Sequence, residues 1–172
     1  MAKTKNTGNG NDTSSCLNIE FPITVNARFP GDLEYIPAIR KFVAELLSVS
    51  GFDSKFSYRS EIIVDEICNN AVAYGCRSEN AEIELINTIH NDRIEFTIQD
   101  QGGTKDNVRR LKSAITSGEA NVAKDHQHGL GLEIVRMLSE RLEVVIDEEN
   151  LTSIHIVRKR EDDRDDTRTS ST

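Results

Sequence analysis

The sequence predicts an α+β fold, a two-layer sandwich with amphipathic helices on one face of an antiparallel or mixed, mostly antiparallel sheet. Three observations carry this. Apolar residues recur at helical spacing in three strong segments, they alternate at period two in five others, and the later alternating segments are joined in pairs by turn signals. A helix with one apolar stripe must bury it, and a sheet face is the surface that accepts several such helices at once.

The first alternating run is Leu17 to Val25, where Leu17, Ile19, Phe21, Ile23 and Val25 predict a strand. Gly31-Asp32 opens a helical segment carrying Leu33, Ile36, Ile39, Phe42, Val43, Leu46 and Leu47, and Gly51 ends it. A second helix is predicted from about Tyr58 to Tyr74, with Ile63, Ile67, Ala71 and Tyr74 as its stripe and Gly75 as its stop. The period then changes to two. Ile83, Leu85 and Asn87 define a strand over 81–90, Asn91-Asp92 turns the chain, and Ile94, Phe96 and Ile98 define its hairpin partner. The polar stretch 104–128 holds one weak helical pattern near Val108 to Ile115. Gly129-Leu130-Gly131-Leu132 starts a strong helix with Ile134, Val135 and Leu138 on its inner side. Leu142 to Ile146 and Ser153 to Val157 form a last hairpin through Glu148-Glu149-Asn150.

A chain of 172 residues accommodates one ordinary domain. The Lys, Thr, Asn, Gly and Ser of residues 1–16 cannot bury apolar area, and the charged run from 159 to 172 has no apolar period, so both are read as disordered tails around a folded unit at 17–158. The net charge of −8 comes with no basic stripe, which argues against direct nucleic-acid binding. No run approaches the roughly 20 apolar residues of a membrane helix, and the start lacks the apolar core of a signal peptide. Cys16, Cys68 and Cys76 lack metal-ligand spacing and are read as reduced thiols of a cytoplasmic protein.

Three places carry candidate chemistry. Glu66 and Asn70 are four residues apart, so they share one side of the second helix, beside its apolar stripe and at the rim of the core. An amide oxygen is a hard neutral ligand suited to magnesium, and a neighbouring carboxylate can orient or deprotonate an attacking hydroxyl. Asp100-Gln101-Gly102-Gly103 follows a strand. Its aspartate can accept from an exocyclic amine such as that of adenine, and its glycines let the backbone approach a flat ligand. Gly129-Leu130-Gly131 precedes a helix whose first amides attract phosphate. No Gly-Lys-Ser/Thr follows and no parallel βαβ unit surrounds it, so it is neither a P-loop nor a dinucleotide fingerprint.

In order and spacing the three resemble the boxes of the GHKL (Bergerat-type) ATPases. Asp65-Glu66-Ile67-Cys68-Asn69-Asn70-Ala71 resembles the N box, Ile98-Gln99-Asp100-Gln101-Gly102 the first glycine box, and His128-Gly129-Leu130-Gly131-Leu132 the second. The resemblance spans about 17–158. It implies that Asn70 holds the magnesium bridging the phosphates, that Asp100 binds the adenine amine with Gly102 leaving room for the ring, and that Gly129, Leu130 and Gly131 offer amides to the phosphates. It further implies that Thr152 touches the adenine side, that residues 104–128 form an ATP lid, and that Glu66 is the general base.

Within that family, Asn70-Ala71-Val72-Ala73-Tyr74-Gly75 is similar to the Asn-Ala-x-x-His-Gly of anti-sigma factor serine kinases, which adds Ala73 to the nucleotide-binding candidates. That subfamily implies a homodimer using ATP and Mg2+ to phosphorylate a STAS-domain anti-sigma antagonist, and sequestering a sigma factor. The alternative is an ATP-binding switch with little or no transfer; Glu66 argues against it, since a pure binder needs no such carboxylate. A histidine-kinase catalytic fragment is the third reading, and the segment 31–50 contains no phosphoacceptor histidine. The pattern departs from the family at Thr104, Leu151 and Tyr74, which stand where a glycine, a glycine and a histidine are usual. Arg40 is a candidate for the basic residue some relatives carry in the first helix. His126 and His128 flank a glutamine in a His-x-His pattern that could bind a metal but is more often incidental, and His128, Lys105, Lys112 and Lys124 are candidate phosphate contacts in the lid.

Overall fold

The computed structural model describes residues 20–76, 78, 80–104, 106, 109, 129–148 and 151–160. Residues 1–19 and 161–172, the weak helical pattern near 108–115 apart from residue 109, and the lid histidines and lysines lie outside the described residues, as do the side chains of Gly129 and Leu130.

Five strands and three α-helices make up the described fold. Strand β1 (Ile23–Pro30) leads through a 3-10 turn (Leu33–Tyr35) into α1 (Ile36–Val49), and α2 (Ser54–Asn70) continues into a π-helical turn (Ala71–Gly75). Strands β2 (Glu82–Ile89) and β3 (Arg93–Asp100) precede α3 (Gly129–Leu138), and β4 (Arg141–Ile146) and β5 (Thr152–Lys159) close the chain. The sheet order is β1-β2-β3-β5-β4 with every pairing antiparallel, which decides between the antiparallel and mixed alternatives.

Period-two burial gives the sheet its two faces. Ile83, Leu85, Ile94, Phe96, Ile98, Ile154 and Ile156 point inward and are almost wholly buried against Val43, Leu47, Ile63, Ile67 and Val135 of the helices. Burying each such side chain stabilises the fold by about 1.5–3 kcal/mol.

Three elements have boundaries that differ from expectation. The first strand begins at Ile23 and runs to Pro30, and Leu17 and Ile19 lie outside the described residues. Its inward set is Ile23, Val25, Ala27 and Phe29, each held by the antiparallel register that pairs Ile23 with Ile89 and Pro30 with Glu82. The small Ala27 and the charged Arg28 hide that continuation in the sequence. The second helix starts at Ser54, earlier than Tyr58, because Asp53 caps it: its carboxylate accepts from the Phe56 N–H at 2.7 Å. At the other end of the chain, β5 runs through Lys159. The Arg160 guanidinium donates to the Gly51 carbonyl and lies 4.4 Å over the Phe52 ring, so the charged run begins inside the fold. Arg158, buried, stacks 4.0 Å over Phe56 and donates to Ser60 Oγ, tying β5 to the start of α2.

Candidate functional site

Helix α2 is the hub of the site. Ile63, Val64, Ile67 and Cys68 bury its inner side completely, which fixes its rotation. Glu66 is then half-buried and Asn70 buried at the rim, one turn apart as the spacing predicts. Beside them, Asp65 takes a 2.9 Å ion pair from Arg40 of α1, and Asn69 donates to the Asp65 carbonyl at 2.7 Å. Arg40 is thereby engaged in helix packing while remaining partly exposed. Burial, with Asp65 adding to it, pushes the Cys68 thiol up to about 12, as befits an inert core cysteine.

The Asn70 amide nitrogen is buried without a hydrogen-bond partner among the described residues. Unpartnered buried amides are rare in folded proteins, and one of their causes is a ligand or ion that completes them. The orphaned Nδ2 is a donor and calls for an acceptor such as a phosphate oxygen, while the Oδ1 of the same amide is the kind of oxygen ligand that Mg2+ takes beside waters and substrate phosphates, so a rim amide fits a magnesium nucleotide. Among the described residues no group of three or more His, Cys, Asp or Glu is arranged to hold a metal.

Past Asn70 the helix widens into the π turn, a feature that recurs at functional sites. It delivers Gly75, buried, to the end of β3, where a Cβ added at Gly75 would lie 2.1–2.5 Å from the carboxyl atoms of Asp100. Asp100 Oδ1 accepts from the Gly102 N–H at 2.7 Å, and Gly102 takes φ = 73°, a left-handed conformation that favours glycine. Across the β3–β5 pairing Asp100 stands opposite Thr152, and both are buried. Thus Asp100, Gly102 and Thr152, separated by up to 52 positions in sequence, meet at one sheet end.

Helix α3 begins at Gly129, as predicted, and its first turn closes the other side. A Cβ at Gly131 would fall 2.0 Å from Glu66 Oε2, so the Glu66 carboxylate rests directly on that turn. A helix start offers bare N–H groups and a partial positive charge, which favour anions there. The structure therefore brings Glu66 and Gly131 together, and Asp100, Gly102 and Thr152 together, with Asn70 between them on α2. Ala73 is exposed on the π turn and Tyr74 is half-buried. Leu151 is an exposed residue of the β4–β5 turn, its N–H donating to Asp147 Oδ1 at 2.8 Å, so that departure leaves Thr152 in its strand register. Thr104 is exposed beyond the buried Gly102 and Gly103.

On the opposite, outer face of the sheet, Arg28, Glu84, Gln99, Val145 and Ser153 line a cleft of about 510 Å³ whose border includes Asp100 and Thr152. Glu66 and Asn70 take no part in it. Gly75 is the residue whose role sequence reading missed: taken as a helix stop, it also backs the Asp100 carboxylate. The available signal was a glycine five residues after Asn70 in the quoted motif.

A two-layer α+β sandwich with an amide-bearing helix, an Asp-x-Gly strand end and a glycine-started helix around one rim defines the class of GHKL-type nucleotide-binding domains. The chain belongs to the family described as the histidine kinase-like ATPase domain, whose model matches residues 29–157. It is similar to the serine-protein kinase RsbW of Bacillus mycoides strain KBAB4, 26% identical over 126 residues that cover 72% of this chain and 78% of that protein. The proteins of the same name from Bacillus cereus strains B4264 and ATCC 10987 are 26% and 25% identical over the same shares. Among the described residues no helix is long and apolar enough to cross a membrane.

Proposed function

We propose that the chain is an ATP- and Mg2+-dependent protein-serine/threonine kinase that acts as an anti-sigma regulatory factor. Its substrate is a STAS-domain anti-sigma antagonist, its second partner is a sigma factor that it sequesters, and it works as a homodimer in the cytoplasm. The observation that carries the kinase reading is the contact of Glu66 with the first turn of α3, one helical turn from the orphaned Asn70 amide. A base beside a phosphate-binding helix start is what transfer needs and a passive binder does not.

In this reading Asp100 and Thr152 hold the adenine side, with Gly102 giving the ring room and Ala73 at the pocket rim. Gly129, Leu130 and Gly131 offer amides to the phosphates. Asn70 is the side chain that would hold Mg2+, which supplies charge neutralisation on the phosphates when bound. Glu66 takes the proton of the substrate hydroxyl as its oxygen bonds to the γ-phosphorus and the bond from that phosphorus to ADP breaks. Such chemistry is mostly positioning and electrostatics, so few groups suffice. The names of the Bacillus relatives support the serine-kinase assignment.

The test is transfer from γ-labelled ATP to purified STAS-domain proteins that carry a serine or threonine on their surface. Label on one of them that depends on Glu66 supports the kinase. Nucleotide binding with no label on any of them would favour an ATP-binding switch.

A further inference from the structure

We propose that Gly75, at the end of the π-helical turn, is a positioning residue for base recognition: it is glycine so that the Asp100 carboxylate can occupy its place. The inference rests on the reading of Asp100 as the adenine contact.

Gly75 does not need to be glycine for its own backbone. Among the described residues only Gly51 and Gly102 take positive φ, so an alanine at 75 meets no backbone strain. What it meets is Asp100, at 2.1 Å to Cγ, 2.3 Å to Oδ2 and 2.5 Å to Oδ1. These distances are far inside van der Waals contact, so one side must move. The aspartate cannot swing away cheaply. Its side chain has a single carbon between backbone and carboxyl, it is buried, and its Oδ1 is held by the Gly102 N–H at 2.7 Å. The neighbouring Cys76 reports the same proximity: burial raises its thiol, and the Asp100 charge raises it further.

The π turn accounts for the alignment. It packs against β3, and its wide turn separates Asn70 from Gly75 so that one faces the rim beside Glu66 and the other faces Asp100. One short segment thereby sets the spacing between the amide at one end of the site and the base-reading carboxylate at the other.

The experiment compares wild type, Gly75→Ala, Asp100→Ala and Gly75→Ala/Asp100→Ala, reading the melting temperature and the affinities for ATP and GTP. Gly75→Ala is expected to melt below wild type. In the Asp100→Ala background the same change removes no space in use, and alanine is the better helix residue, so the double variant should melt at or above Asp100→Ala. Gly75→Ala should also bind ATP about tenfold or more weakly, the order of a lost hydrogen bond to a charged group, and lose part of its preference over GTP. Should Gly75→Ala fail to fold alone, rescue by the double variant supports the seat, and lack of rescue overturns it. If Asp100→Ala lowers ATP affinity while a folded Gly75→Ala keeps it, the positioning role fails and the adenine reading stands. If Asp100→Ala keeps full ATP affinity, the adenine reading itself fails.

Discussion

Glu66 and Asn70 stand one turn apart on α2, yet their substitution should have separate effects. Glu66 touches the start of α3 through its carboxylate, and the proposal gives it a role in proton removal alone. Glu66→Ala is therefore expected to keep ATP affinity within a few-fold and to cut phosphoryl transfer by about a hundredfold or more, the usual worth of a general base. Calorimetry and labelled transfer on the same preparation check this, and equal loss of binding and transfer would count against the base. That the two residues share a face was legible from their spacing, because four residues make one helical turn. That Glu66 rests on Gly131 was not legible, because the contact joins segments 65 positions apart and depends on how α3 packs on α2.

At the scale of elements, α2 owes its early start to a cap and its position to its neighbours. Asp53→Ala removes the acceptor for the Phe56 N–H and should cost about 1 kcal/mol, read as a lowered urea midpoint with unchanged slope. No change would mean that packing of Phe52 and Phe56, stacked at 4.6 Å, holds the turn without the cap. The sequence carried that cap as Asp53-Ser54-Lys55-Phe56, but an apolar stripe that begins only at Ile63 drew the predicted boundary inward to about Tyr58. The pairing of β2 with β3 and of β4 with β5 was legible, since alternation and short polar turns leave one pairing, although β5 runs two residues past Val157. The π turn was not: its five residues, Ala71–Gly75, read as one more turn of helix, and nothing in their types marks a wider one.

Across the whole molecule, one sheet serves two environments. Its inner face is the core and ends at Asp100 and Thr152. Its outer face is polar, and there Glu95 accepts from Arg93 at 2.9 Å and sits near His90 and His155. Burial pushes the Glu95 carboxyl up, but the Arg93 hydrogen bond and the charges of His90, Arg93 and His155 outweigh it, leaving the group below the ordinary 4.5. A lowered folded value means that Glu95 adds stability above the ordinary glutamate range and loses that contribution as pH falls through the folded value. The stability gap between wild type and Glu95→Gln should thus narrow from neutral pH into acid, as read by urea unfolding, and narrow also with added salt. A gap constant with pH would remove Glu95 from the acid response. The fold class followed from patterning alone. The pairing of Asp100 with Thr152 did not, because it needs β5 to insert between β3 and β4, and no local signal specifies that order.

In the proposed function the rim between α2, the end of β3 and the start of α3 binds a magnesium nucleotide through Asn70. Calorimetry of ATP with and without Mg2+, on wild type and Asn70→Ala, tests it most directly. Micromolar binding that requires Mg2+ and disappears in a folded Asn70→Ala variant is the predicted result. Wild type that binds no ATP, or an Asn70→Ala variant that binds it as tightly as wild type with Mg2+ present, would contradict the claim.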